Sequence, residues 1–243
     1  MPAPNKPAEI IKIAGDDQRA RPGDRLQPIV VAVRDLSGKP VSGAQVTFAV
    51  TAGDGFFGTI EVGPDGTPWV GRWKSPVSQV ANGNGEATVL WFLGRHGENT
   101  LLATVEGEGK PLEVTFRATS MSSGYPGGSF ALTSTGTSMK LYDGFAGGPY
   151  NCVINSGLLV LSPDGSFEGK GHFDCGPEPW GAFSFDVIET GFYAVSDSTI
   201  VLHYLKSNDT AGFFTLRDVH GVVSDGTIGF SYYGVEWRYA RFD

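Results

Sequence analysis

Gln45-Val46-Thr47-Phe48-Ala49-Val50 is the stretch on which the fold of this chain turns. Val46, Phe48 and Val50 alternate with Gln45, Thr47 and Ala49. A period of two places one set on each face of a strand, one face buried and the other wet. The same alternation spreads outward from it. Residues 26–34 carry Ile29, Val31 and Val33 on one face, 86–93 carry Ala87, Val89, Trp91 and Leu93, and 98–106 carry Leu101, Ala103 and Val105. Residues 8–14 open this series and 112–118 close it. Turn signals punctuate the runs: Ser37-Gly38-Lys39-Pro40 and Asn82-Gly83-Asn84-Gly85. Asn-Gly and similar pairs accept the positive φ of tight turns at little cost. About seven short strands in roughly 120 residues is the arithmetic of a β-sandwich.

These segments carry a resemblance. Ala8 through Gly15-Asp16-Asp17-Gln18, Pro22-Gly23, and Leu26 to Asp35 are similar to the bacterial immunoglobulin-like domain of the invasin and intimin type. The run Gly38-Lys39-Pro40-Val41-Ser42-Gly43-Ala44-Gln45-Val46-Thr47-Phe48 resembles that family's G-x-P-V-x-G-x-x-V-x-F signature. Gly85-Glu86-Ala87, Trp91-Phe92-Leu93-Gly94 and Gly97-Glu98-Asn99-Thr100 resemble its second half. The match spans about residues 8–119 and implies an immunoglobulin-like sandwich serving as a spacer or stalk. It departs from the pattern at 53–84, a long connection containing Trp69 and Trp73. A structureless loop of that length in a compact domain is uncommon and often functional.

Residues 120–128, Ser-Met-Ser-Ser-Gly-Tyr-Pro-Gly-Gly, read as a linker. The second domain is expected over 129–243, with strands at 129–134, 137–142, 153–162, 166–175, 181–189, 198–206, 212–219 and 227–242, the last split near Gly234. Pro163-Asp164-Gly165 and Asp225-Gly226 supply hairpin turns. About eight sequential strands predict an antiparallel barrel or barrel-like sandwich. The stretch 157–167 is loosely similar to lipocalin-like barrels, although Gly128-Ser129-Phe130 stands where that family has Gly-x-Trp. The fold class expected is all-β: domain one at 1–119, domain two at 129–243.

Composition supports this class. The 243 residues include 35 Gly and 15 Pro, and the net charge is −8. The excess lies in the second half, since 120–243 holds 6 basic against 13 acidic side chains. A nucleic-acid surface needs clustered Lys and Arg, which this balance opposes. No apolar run has the length of a membrane-spanning helix. Met1-Pro2-Ala3-Pro4 lacks an apolar export core, so the start reads as a mature chain. Cys152 and Cys175 are the two cysteines. One disulfide in an oxidising compartment is the expectation, with two buried thiols as the alternative.

Motifs for chemistry are sparse. Gly53-Asp54-Gly55-Phe56-Phe57-Gly58 satisfies G-x-G-x-x-G, but a dinucleotide site needs a helix there, and the following residues are strand-like. His172, His203 and His220 share the second domain without the spacing of a metal site. His172 falls on the face opposite Phe167, Phe173 and Cys175, so it faces solvent if those three face inward. No nucleophile-elbow, zincin or Walker motif occurs. A glycan hydrolase needs two carboxyls about 5–10 Å apart, which a sequence does not reveal. No cofactor is expected. Residues 128–243 hold 20 aromatic side chains. Phe183, Phe185, Phe230, Tyr232, Trp237 and Tyr239 either fill the barrel or line a cavity for a small apolar ligand. Trp69, Trp73 and Trp180 are the candidate partner contacts, because exposed aromatics offer rigid contact area. The functional expectation is a secreted, periplasmic or cell-surface bacterial binding protein that meets a protein or glycan partner. The alternatives are a carrier with a cavity of at least ~300 Å³ and a glycan-acting enzyme.

Overall fold

A computed structural model describes residues 6–62, 68–73, 75–136, 138–142, 149–176, 182–208, 218–232 and 235–243; the side chains at 60–62, 68–73, 141–142, 149–150 and 232 fall outside the description. The chain forms two compact units, Met1–Met121 and Ser122–Asp243. All the regular structure among the described residues is strand.

The first unit holds β1 (Glu9–Ala14), β2 (Gln18–Ala20), β3 (Ile29–Arg34), β4 (Gln45–Ala52), β5 (Phe56–Val62), β6 (Pro68–Trp73), β7 (Val77–Val80), β8 (Glu86–Phe92), β9 (Gly97–Glu106) and β10 (Pro111–Ser120). They make two sheets, β1-β3-β8-β5-β6 and β2-β10-β9-β4-β7. Of the alternating residues read from the sequence, Ile29, Val31, Val33, Val46, Phe48, Ala87, Val89, Trp91, Leu93, Leu101, Ala103 and Val105 are buried in the core between them and Val50 is half-buried; Phe116 of β10 joins this core. Edge strand β2 pairs in parallel with β10, while the neighbours within the two sheets otherwise run antiparallel.

The connection at 53–84 is not a structureless loop. It holds β5, β6 and β7, with β5 and β6 paired from Phe57↔Trp73 to Val62↔Pro68. Only Phe56–Gly58 of β5 reaches β8, so the far half of the pair stands as a two-stranded ribbon at the sheet edge. Gly and Pro spread through 63–76 break the alternation that would have marked these strands.

The Gly-rich run 53–58 has a packing role. Gly53 sits at φ +90, and a Cβ there would lie 2.1 Å from Asn99 Oδ1. A Cβ on Gly94 would lie 1.6 Å from the Gly53 carbonyl oxygen. Asn99, with no exposed surface, ties the two chain crossings together. Its Oδ1 accepts the Gly94 N–H at 3.0 Å, and its Nδ2 donates to the carbonyls of Arg95 at 3.0 Å and Gly97 at 3.1 Å. A strand, β5, follows where a dinucleotide fold would open a helix.

The second unit holds β11 (Gly128–Leu132), β12 (Ser138–Tyr142), β13 (Pro149–Leu161), β14 (Ser166–Cys175), β15 (Phe183–Ser196), β16 (Thr199–Ser207), β17 (Asp218–Ser224), β18 (Thr227–Tyr232) and β19 (Val235–Arg241). Successive strands from β13 to β19 pair antiparallel. β11 pairs with β13 on one side and with β19 on the other, which closes an eight-stranded barrel. β12 continues along β13 beyond β11, so β11 and β12 act as one strand interrupted after Leu132. Closure removes the free edges that make open sheets prone to pairing with other chains. Within the stretch read as a linker, Ser123 and Tyr125 are tied to the barrel. Val195 N–H donates to the Ser123 carbonyl at 2.6 Å, and the buried Tyr193 hydroxyl donates to the carbonyls of Tyr125 at 3.2 Å and Ser162 at 2.8 Å.

Candidate functional site

The β13-β14-β15 register fixes which side chains face in and which face out. Leu159, Gly169 and Glu189 stand side by side, as do Ile154, Phe173 and Phe185, and Cys152, Cys175 and Phe183. These rows point into the barrel, where Ile154, Leu159, Phe173, Cys152 and Cys175 belong to the buried core. The neighbouring rows point out: Val153, Asp174 and Ser184; Ser156, His172 and Asp186; Leu158, Lys170 and Ile188.

Cys152 and Cys175 form a disulfide and face each other in register. The Gly176 N–H donates to the Asn151 carbonyl at 2.7 Å, which makes 151/176 a hydrogen-bonded pair. The next pair, 152/175, is then the non-hydrogen-bonded kind, where side chains approach most closely. A disulfide of this kind fits an oxidising, extracytoplasmic environment.

The lumen is packed with aromatic rings. Phe173 and Phe185 stack with centroids 5.2 Å apart, and Phe183 stacks on Phe185 at 6.0 Å. Trp237 lies 6.1 Å from Phe173, and Phe230 meets Tyr239 edge-on at 6.2 Å. Among the described residues the lumen holds a cavity of about 60 Å³ bordered by Gly169, Glu189, Tyr204, Phe230, Trp237 and Tyr239. It is well below the ~300 Å³ at which small-molecule pockets begin. Phe230, Trp237 and Tyr239 therefore border this cavity, while Phe183 and Phe185 pack against the core. Burial pushes the Tyr239 phenol far above its ordinary pKa, and the Glu189 carboxylate adds to the shift. The Tyr232 side chain lies outside the described residues.

The outer face has a different chemistry. His172 Nδ1 is 2.7 Å from Asp186 Oδ1, and its Nε2 is 3.5 Å from Asp174 Oδ1. Asn155 Nδ2 and the Ser184 hydroxyl both donate to Asp174. The hydrogen bond to Asp186 raises the pKa of His172, with a smaller opposing effect of desolvation and further support from the two aspartates. Beside this network lies a depression of about 340 Å³ bordered by Ser156, Leu158, Lys170, His172, Asp186 and Ile188. Ile188 is 40% exposed, a large apolar side chain among charged neighbours. It is an open groove on the sheet face, not an enclosed pocket.

His172 does turn to solvent, as its alternation requires. The three histidines do not converge. His203 is buried, with Nδ1 3.0 Å from Asp218 Oδ1, and His220 is exposed on β17. Among the described residues no three His, Cys, Asp or Glu side chains could hold a metal. The two His–Asp pairs were not foreseen from sequence. Each joins residues directly opposite across adjacent strands, His172↔Asp186 and His203↔Asp218, so a register is needed to see them. Of the three candidate contact tryptophans, Trp69 stands opposite Glu61 and Trp73 opposite Phe57 on the β5–β6 ribbon; their side chains, and Trp180 altogether, lie outside the described residues. No protein-family model matches this sequence, and no curated protein matches it.

Proposed function

We propose that this chain is a non-catalytic binding protein of the bacterial periplasm, cell surface or extracellular space, in which an immunoglobulin-like domain of the invasin and intimin type acts as a spacer. The observation that carries this reading is the contrast between the two faces of the barrel. The cavity among the described lumen residues measures about 60 Å³, whereas the outer face offers an open depression of about 340 Å³ with both apolar and charged walls. A mixed apolar and polar surface of that kind suits recognition of a glycan or a protein segment. The resemblance at 8–119 supports the spacer role, and the disulfide supports the location. Trp69, Trp73 and Trp180 remain the proposed anchors for a second contact.

The test is an array of bacterial and host glycans and extracellular proteins, probed with the intact chain. Binding should weaken strongly in Ile188→Asp and in Trp69→Ala/Trp73→Ala, with both variants still folded by circular dichroism. Binding that survives both sets of changes would remove these surfaces from the account.

A further inference from the structure

Two Asn-Gly pairs share one turn, Asn82-Gly83-Asn84-Gly85, between β7 and β8, and the sequence gives no reason to separate them. The structure separates them clearly. Asn82 is fixed by its whole frame. Its Oδ1 accepts the N–H of Asn84 at 2.9 Å and of Glu86 at 3.0 Å. Its own N–H donates to the Glu86 carbonyl at 2.9 Å, and its carbonyl accepts the Gly85 N–H at 2.9 Å. Asn84 is exposed, and its side-chain amide makes no hydrogen bond among the described residues.

We propose that Asn84–Gly85 is the site of spontaneous deamidation in this chain, ahead of Asn82–Gly83. The Gly85 backbone nitrogen attacks Asn84 Cγ. The Cγ–Nδ2 bond breaks, and Nδ2 leaves as ammonia with the proton lost from the Gly85 nitrogen. Water then opens the resulting succinimide at either carbonyl, which leaves aspartate or isoaspartate. Glycine as the following residue lets its nitrogen reach Cγ without a side chain in the way. At Asn84 the attack releases one hydrogen bond, from Gly85 N–H to the Asn82 carbonyl. At Asn82 the side chain must first leave two donors, the N–H groups of Asn84 and Glu86. One hydrogen bond is worth about 1 kcal/mol net, which is about fivefold in rate.

The two products differ in consequence. Aspartate at 84 keeps the backbone length. Isoaspartate lengthens it next to Gly85, whose carbonyl accepts the Val33 N–H at 2.8 Å and whose added Cβ would lie 2.6 Å from the Val33 oxygen. Isoaspartate there loosens the turn from β3.

The experiment is incubation of the intact folded chain in mildly alkaline buffer, followed by peptide mapping with mass spectrometry that distinguishes aspartate from isoaspartate. Conversion at Asn84 should run about fivefold ahead of Asn82, and the gap should close when the same chain is incubated unfolded in urea. The Asn84→Gln variant should lose the faster phase. Conversion at Asn82 equal to or faster than that at Asn84 in the folded chain, or a fast phase that persists in Asn84→Gln, overturns the assignment.

Discussion

Gly169→Ala is the most informative single change in the barrel. Gly169 faces the lumen on β14, between Leu159 and Glu189. A Cβ built on it meets no atom within 4 Å, and the cavity beside it measures about 60 Å³. The position is open space, so the methyl group meets no packing partner and the gain comes from the unfolded chain, where loss of glycine's freedom contributes about 0.5–1 kcal/mol. The variant should therefore be more stable by about 0.5–1 kcal/mol, which for a domain of this size raises Tm by roughly 2–4 °C. Scanning calorimetry of the intact chain reads this, with the barrel's transition assigned by its response to reduction of Cys152–Cys175. Gly191→Ala is the paired control. Its Cβ would lie 2.1 Å from the His203 carbonyl oxygen and 2.7 Å from Phe167 Cε1, so it should destabilise the same transition. A Gly169→Ala variant that is neutral or less stable would refute the reasoning, because the lumen would then hold something the methyl group must displace.

Other expectations follow from the same geometry. Replacing both Cys152 and Cys175 with Ser opens a loop with a sequence separation of 23; chain entropy sets the cost at about 3 kcal/mol, read as a lower urea midpoint for the barrel. Asn99→Ala removes three hydrogen bonds, one buried and two partly buried. At about 1 kcal/mol each, the sandwich should lose roughly 3 kcal/mol, and a loss below about 1 kcal/mol would mean that the knot at Gly53 and Gly94 holds without it. His172 has a raised pKa, so its contribution to stability is fully present below the ordinary histidine pKa and fades as pH rises through the raised value. An NMR titration of His172 should show this pKa falling toward the ordinary value in Asp186→Asn, and an unchanged titration would discount the pairing.

The sandwich core was legible because its strands are half-buried. Val46, Phe48, Ala87, Val89 and Trp91 show the alternation that one wet face imposes. Most barrel strands were legible for the same reason, and β14 falls at the expected 166–175. The second half of β15 was not, since Gly191 to Val195 are buried in succession and no period of two survives. β17 runs over Asp218–Ser224, past the expected end at 219, and residues 212–217 of that expected strand lie outside the described residues. The strand character of Thr59 to Val62 in β5 was legible, but β6 and β7 were missed for want of alternation, and with them the ribbon that carries Trp69 and Trp73. The disulfide was legible as a pair of cysteines, while its strand-to-strand placement needed the register. The outer-face network of His172, Asp174 and Asp186 depends entirely on that register, which alternation along one strand does not supply.

A filled barrel that recognises partners through its surface is the central claim, and a native mass spectrum of the chain purified from its producing cells tests it most directly. The account predicts the mass of the polypeptide with one disulfide and nothing more. Additional mass that is released on denaturation would contradict it and make the barrel a carrier.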